Sequence, residues 1–190
     1  RVSKDELMEV PVGIQKIYNI NRIEGKPFDS AQGKHIEIGI YNELGEEIKR
    51  IALNEKDTLH IIGGYKLKFF GGAEVVEVTQ KEAFPGTDAN ELVSSVAKAK
   101  GLIEVITDNG KDIGLVIRAN LAVQGFKAFT ADKSPLQAGL NVINKDTELA
   151  LSHFHTPIDN PRHEIIIVLS GSIRANTYTK EGKLLDSRIL

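Results

Sequence analysis

The sequence predicts an all-β protein, and three observations lead to this prediction. Short segments in which apolar and polar residues alternate follow one another along most of the chain. Many of the 17 glycines stand between these segments, where tight turns are needed. Only one stretch, near 88–100, has the pattern of a helix. Many short strands joined by Gly, Pro and Asn turns are typical of a sandwich or a barrel.

The first half of the chain begins its regular pattern with a predicted hairpin over residues 34–53. Its two alternating segments are separated by a turn at Asn42–Gly45. Three more strands are predicted from the segments DTLHIIGG, YKLKFF and AEVVEVTQ, which are separated by the glycine pairs at 63–64 and 71–72.

A connecting helix is predicted near 88–100. Asp88 is its expected N-cap, Glu91 stands three residues later as in a capping box, and Gly101 ends it. Leu92, Val93, Val96 and Ala99 give the helix an apolar face. We therefore expect it to connect two β regions.

The second half of the chain contains further predicted strands and a weak internal repeat. The strand segments are LIEVIT, DIGLVI, GFKAFT, LQAGLNVI, TELALSHFH, EIIIVLSG, SIRANTYT and KLLDSRIL. Residues 40–53 and 177–190 share a turn glycine (Gly45 and Gly182), a tyrosine (Tyr41 and Tyr178) and a leucine (Leu53 and Leu190). A duplicated β unit is the simplest interpretation.

Composition limits the classes of function. With 41% hydrophobic and 26% charged residues, the chain can bury a core in the manner of a soluble globular protein. A formal net charge of −2 favours neither nucleic acid nor an anionic membrane as a partner, and we expect neither. No apolar stretch is long enough to cross a bilayer, and no signal peptide is predicted. The absence of cysteine excludes thiolate chemistry and fits the cytoplasmic location that we expect.

A histidine pair near the end of the chain predicts a metal site. On a strand, His153 and His155 would lie on one face, together with Leu149 and Leu151. Two adjacent imidazoles suit a first-row divalent metal such as Fe, Mn, Zn or Ni. The alternative is that both histidines have a structural role and only form hydrogen bonds, since an H-x-H motif by itself is a weak signal.

A third ligand is needed, and the sequence leaves it open. Glu164 is the nearest carboxylate at the start of the next predicted strand. Asp159 lies in the loop between them and is an alternative. His163 is a further alternative, although it would point to the opposite face of a strand from Glu164. Two histidines and one carboxylate would leave positions on the metal open for water or a ligand.

The residues around this pair resemble a known family. The segment SHFHTPIDNPRHEIIIVLSGSIRANTYTKEGKLLDSRIL resembles the first conserved motif of the cupin superfamily, in which a histidine pair is followed by a glutamate and a glycine. Within cupins it is most similar to the WbuC-type metalloproteins associated with surface-polysaccharide biosynthesis. Residues 40–80 also resemble the second half of a cupin, without an H-x-H motif.

The resemblance implies a cupin-type jelly-roll barrel, or a tandem of two. The expected domains are a degenerate cupin-like domain at 1–86, the helical connector at 87–101, and a cupin-like domain at 102–190 that carries the H-x-H motif. The implied function is to bind a divalent metal and a small polar ligand such as a sugar or sugar derivative in polysaccharide metabolism. The metal ligands would be His153, His155 and Glu164. The candidates for contacting the ligand are Arg118, Gln137, Arg174 and Tyr178.

Two other functions stay open. One is a non-catalytic β-barrel that binds a ligand or takes part in assembly without a metal. The other is a metal-free sugar isomerase or epimerase, in which a histidine acts as general base with help from Tyr178. The open functions thus include both an enzyme and a binding protein. We also expect a homodimer, because a strand ending at Leu190 with an unpaired edge would be a liability in a monomer.

Overall fold

A computed structural model shows the fold of the chain. It describes residues 1–3, 5, 7–24, 34–80, 92–94, 97, 101, 103–121, 124–131, 134, 136–144, 165–179 and 181–190. The chain divides into two compact units, Arg1–Asn144 and Lys145–Leu190. No helix in these described residues is long and apolar enough to span a membrane.

The first unit consists of antiparallel strands with a short 3-10 helix at Ala119–Leu121. Its strands are β1 (Leu7–Val10), β2 (Gln15–Ile23), β3 (His35–Tyr41), β4 (Glu47–Asn54), β5 (Thr58–Ile62), β6 (Tyr65–Phe69), β7 (Ala73–Thr79), β8 (Ile103–Asp108), β9 (Lys111–Ile117), β10 (Gly125–Ala128) and β11 (Gly139–Val142).

These strands form two main sheets. One sheet has four strands in the order β1-β6-β3-β4, and the other has five in the order β7-β2-β5-β9-β8. A small two-stranded sheet pairs β10 with β11. Every pairing of named strands is antiparallel, so short turns can connect neighbours such as β3 and β4.

The main core lies between the two large sheets. Alternation along β3 turns Ile36, Ile38 and Ile40 inward, and all three are buried. The five-stranded sheet contributes residues such as Tyr18, whose ring meets that of Phe69 edge-on at 6.1 Å between centroids. Each sheet therefore covers the apolar face of the other, as in a β-sandwich.

The five-stranded sheet is buried on its second face as well. A separate apolar cluster forms there around Leu115 and Ile117 of β9. It includes Leu92, Val93 and Phe129, which come from the chain before β8 and after β9. The central strands are therefore apolar on both faces, which explains the nearly continuous apolar run at the end of β9.

The second unit contains one described hairpin, β12 (Arg174–Tyr178) paired with β13 (Leu184–Ile189). All six residues of β13 are exposed. Exposed large apolar side chains of this unit are Ile165, Ile166, Ile167, Tyr178, Leu184, Leu185, Ile189 and Leu190.

The prediction of an all-β protein is confirmed, and so are most of its strands. The hairpin with its turn at Asn42–Gly45 is present as β3 and β4, and the three strands after it are β5, β6 and β7. A cupin-type jelly-roll barrel is not confirmed. The sequence pattern missed β1 and β2, although β2 lies second in the five-stranded sheet and pairs on both edges.

Four further predictions are not confirmed. The helix near 88–100 is not seen as an element in the described residues: Leu92–Ser94 pair with 129–131, Ala97 has a helical backbone, and the other residues of 88–100 lie outside the described part. Residues 165–169, expected in a strand, are not in one. The predicted domain bounds stay a prediction; the two compact units of the structure meet between Asn144 and Lys145, and β9, which hydrogen-bonds to β5, joins β8 to the first unit. The expected strand TELALSHFH lies outside the described residues.

Candidate functional site: a groove at the turn end of the first unit

The turns β1–β2, β3–β4, β5–β6 and β8–β9 contribute to one groove of about 360 Å³. We call it the turn-end groove. It is lined by Val12, Asn42, Glu43, Leu44, Gly63, Gly64, Tyr65 and Asp108. Turns held by a rigid sheet are common places for binding sites, because their side chains vary without disturbing the core.

Two of the turns have a backbone conformation that only certain residues can adopt. Gly63 approaches the carbonyl of Pro11 so closely that a Cβ would lie 1.8 Å from its oxygen, which leaves room only for glycine. In the β8–β9 turn, Asn109 and Gly110 both have positive φ angles, 48° and 77°. This is the Asn-Gly pattern of a two-residue hairpin, and it places Asp108 at the mouth of the groove.

The polar side chains of the groove come from both sheets. The Tyr65 hydroxyl on β6 donates a hydrogen bond of 3.1 Å to Asp108 Oδ2 at the end of β8. Burial, followed by the hydrogen bond to Asp108 and the charges of Asp108 and Glu43, raises the pKa of Tyr65 to about 12. Tyr65 therefore stays protonated at neutral pH and keeps its donor. No lysine or arginine is among the lining residues.

A second groove, of about 280 Å³, lies on the other side of the β3–β4 turn. It is lined by Leu7, Tyr41, Gly45, Lys66 and Lys68. The two lysine ammonium groups are within 3.6 Å and 3.5 Å of the carboxylates of Glu9 and Asp5, respectively. This groove is smaller than the turn-end groove, and residues of fewer turns line it, so it is the weaker candidate.

A buried polar cluster lies on the second face of the five-stranded sheet. Gln15 Oε1 accepts the Leu136 N–H (3.4 Å) and lies 3.1 Å from both Ser134 Oγ and His60 Nε2. The one hydroxyl proton of Ser134 also has Leu136 O as an acceptor, at 2.8 Å. The Leu136 N–H is a donor, so the atom of the Gln15 side-chain amide that it faces must be the oxygen. Because this oxygen is an acceptor, His60 Nε2 must be the donor and carries the proton. Complete burial lowers the pKa of His60 to about 3, so the ring is neutral.

Arg118, predicted as a ligand contact, has a structural role. One guanidinium nitrogen, Nη1, donates to Ala52 O and to Asp57 Oδ2 (2.9 Å), and Nη2 donates to Glu104 Oε2 (2.6 Å). Asp57 is buried and also accepts from the Ala119 N–H at 2.9 Å. The guanidinium thus ties β4, β8 and the end of β9 together through three of its five N–H donors.

The other predicted site residues fall in different places. Gln137 is exposed just before β11, and Arg174 and Tyr178 are exposed on β12 in the second unit. The predicted metal ligands His153, His155 and Glu164 lie outside the described residues, as do the alternatives Asp159 and His163. Among the residues that the structure describes, no group of three His, Asp or Glu side chains is placed to hold a metal.

The sequence analysis missed the residues that the structure brings together at the groove. Tyr65 and Asp108 are 43 positions apart, so no local motif links them. The usable signals were the Gly63–Gly64 and Asn109–Gly110 turns, which mark the ends of strands that could meet at one edge. Compared with known proteins, the chain matches no family model, no curated protein and no solved structure.

Proposed function

We propose that this chain is a non-catalytic binding protein, and that the turn-end groove of its first unit takes a small polyhydroxylated ligand such as a sugar. One observation carries the proposal. The carboxylates of Glu43 and Asp108 and the hydroxyl of Tyr65 line a single groove beside exposed apolar side chains.

The lining suits a polyol better than an anion. Carboxylate oxygens are strong acceptors for ligand hydroxyl groups, and the groove offers no cation to balance a negative ligand. Val12 and Leu44 are 73% and 84% exposed, so they can contact the C–H face of a sugar ring. Such a mixture of a few placed polar groups and apolar surface is usual for small-molecule sites. The cupin resemblance also implies a sugar or sugar derivative.

The described titratable groups favour binding over turnover. His60 is neutral and completely buried on the second face of the five-stranded sheet. Asp57 and Arg118 are engaged with each other and with the backbone. The groove itself therefore supplies hydrogen-bonding groups, while the buried histidine and the Asp57–Arg118 ion pair serve the fold.

The experiment is a titration of ¹⁵N-labelled protein with a panel of neutral mono- and disaccharides. We expect chemical-shift changes confined to the turns that carry Val12, Glu43, Tyr65 and Asp108. Glu43→Gln and Asp108→Asn should each weaken binding by about tenfold, the equivalent of one charged hydrogen bond.

A matched control separates the groove from general charge effects. Glu24→Gln removes an exposed carboxylate that lies 3.6 Å from Arg1 Nε; the backbone N–H of Glu24 donates to Gly72 O, so the residue lies beside the β6–β7 turn rather than the groove. It should leave the affinity unchanged. Shift changes elsewhere on the surface, or none with any sugar of the panel, would reject the groove as a sugar site.

A metal site remains a second proposal, and it rests on the sequence. The H-x-H pair His153 and His155, with Glu164 as a third ligand, is the donor set for a divalent metal. Elemental analysis of the full chain, beside the double variant His153→Ala/His155→Ala, tests it directly. Near-stoichiometric metal that is lost in the variant would support the site. No metal in either protein, even after reconstitution with Fe, Mn, Zn and Ni, would reject it.

A further inference from the structure

The hairpin β12–β13 has the same turn as β3–β4. In the first unit the Asn42 N–H donates to Glu46 O (3.0 Å) and the Gly45 N–H donates to Asn42 O (3.0 Å). In the second unit the Thr179 N–H donates to Lys183 O (2.8 Å) and the Gly182 N–H donates to Thr179 O (3.0 Å). The positions therefore correspond one to one.

Finer details of the two turns agree as well. The turn glycines Gly45 and Gly182 have φ angles of 82° and 85°. Asn42 Oδ1 accepts the Glu46 N–H at 2.9 Å, and Thr179 Oγ1 accepts the Lys183 N–H at 3.2 Å. In both hairpins the pairing register shifts immediately before the shared tyrosine, Tyr41 or Tyr178. The repeat seen in the sequence is thus also a repeat of local structure.

The two hairpins differ at their outer edge. Strand β3 pairs with β4 on one edge and with β6 on the other. Its counterpart β12 pairs, within the described residues, with β13 alone. A two-stranded ribbon is marginal in water by itself, and its free edge is a template for another strand.

The hydrogen bonds between β12 and β13 show which backbone groups of β12 point away from β13. Ile173 and Leu190 exchange two backbone bonds, of 3.1 Å and 2.9 Å, so this pair is a hydrogen-bonded pair. Because such pairs alternate along an antiparallel ladder, Ala175 also faces β13. The N–H and C=O groups of Arg174, Asn176 and Tyr178 therefore point to the other edge.

We propose that this edge pairs with the β12 edge of a second copy of the chain, antiparallel and about a twofold axis, to form a four-stranded sheet. Pairing centred on Asn176 places its N–H and C=O opposite those of the same residue in the second copy. It also places Arg174 opposite Tyr178 of the partner subunit, twice by symmetry. A cation facing an aromatic ring across two strands is a favourable pair. The edge is therefore complementary to itself, as a twofold interface requires.

In the dimer, the exposed apolar residues of the two-stranded ribbon would lie on a four-stranded sheet. The central strands of the dimer would be the two β12 strands, each paired on both edges as β3 is. The proposal is independent of the turn-end groove, which lies in the first unit.

The test uses the full chain in sedimentation velocity over a concentration series. Asn176→Pro removes the outward N–H, and it leaves the bonds between β12 and β13 in place because this N–H does not face β13. We expect the dimer dissociation constant to rise by at least about tenfold. The matched control Asn176→Ala keeps the N–H and should retain the dimer.

A second set of variants does not depend on proline. Arg174→Glu should weaken the dimer, and the exchange Arg174→Tyr/Tyr178→Arg should preserve it, because the same pair forms in the opposite order. Amide hydrogen exchange at Thr179 and Lys183 checks that the hairpin stays folded. A monomeric wild type, or a dimer that none of these changes affects, would overturn the proposal. So would a monomer in which the Asn176 amide is protected, since the edge would then be covered within the chain.

Discussion

The hairpins β3–β4 and β12–β13 have turns of the same conformation but lie in different environments. Leu53 at the end of the first hairpin is completely buried, whereas its counterpart Leu190 is 48% exposed. Ile36 is buried in the main core, and its counterpart Ile173 is half-buried. The turn is set by a few local residues, but the burial of each strand depends on what packs against it. Equal local structure therefore does not mean equal stability.

The largest expected effect comes from truncating the two equivalent leucines. Leu53→Ala leaves a cavity between the sheets and should lower the free energy of unfolding by about 2–5 kcal/mol. Leu190→Ala removes a half-exposed side chain and should cost less than about 1 kcal/mol. Chemical denaturation followed by far-UV circular dichroism measures the first. Hydrogen exchange of the β12–β13 amides measures the second. Equal losses would mean that the second hairpin is as well covered as the first.

Acid should destabilise the first unit, because His60 is buried there. Its pKa is about 3 in the folded chain and about 6.5 when unfolded, so between these values only the unfolded state takes up the proton. The free energy of unfolding should therefore fall as the pH drops from about 7 towards about 3, by a few kcal/mol in all. The measurement is urea denaturation at several pH values.

The control for this pH dependence is His60→Gln, which keeps a side-chain donor in place of Nε2 but does not titrate. It should be less stable than the wild type at pH 7, yet lose less stability on acidification. If the two proteins have parallel pH profiles, His60 is not the group responsible.

The smallest effect should be the same in both hairpins. Gly45 and Gly182 have positive φ angles, and a Cβ at either would touch nothing within 4 Å. Glycine to alanine should therefore cost only backbone strain, about 1 kcal/mol at each site. Hydrogen exchange of the Glu46 and Lys183 amides reports both losses. Asparagine, which tolerates this conformation better, should recover part of the stability at each glycine. Unequal costs would show that the turns differ despite their matching hydrogen bonds.

The fold was predictable where its causes are local. Alternation along 35–41 and 47–54, with glycine at 45, predicted β3 and β4 correctly. Strand β2 was missed because its segment, QKIYNINRI, mixes polar and apolar residues without strict alternation. Two of its polar residues, Gln15 and Asn19, are buried. Asn19, for example, donates to Lys56 O and to Thr58 Oγ1, and these bonds across the sheet replace contact with water.

The candidate site was less predictable than the fold. Arg118 was predicted as a ligand contact, and its partners Asp57 and Glu104 are 61 and 14 positions away, so no local pattern shows them. Tyr65 and Asp108 were overlooked because each is unremarkable among its own neighbours. The ligand set His153, His155 and Glu164 stays a prediction.

The sequence by itself determined the all-β class, most strand positions and the shared form of the two hairpin turns, because alternation and turn chemistry act over a few residues. Tertiary structure decided which strand edges are paired, which histidine is buried and which turns meet at one groove. The pairing of Gln15 with Ser134, 119 residues away, has no trace in either local segment. Such contacts depend on how whole sheets stack, since a buried polar group is stable only where the fold brings it a partner.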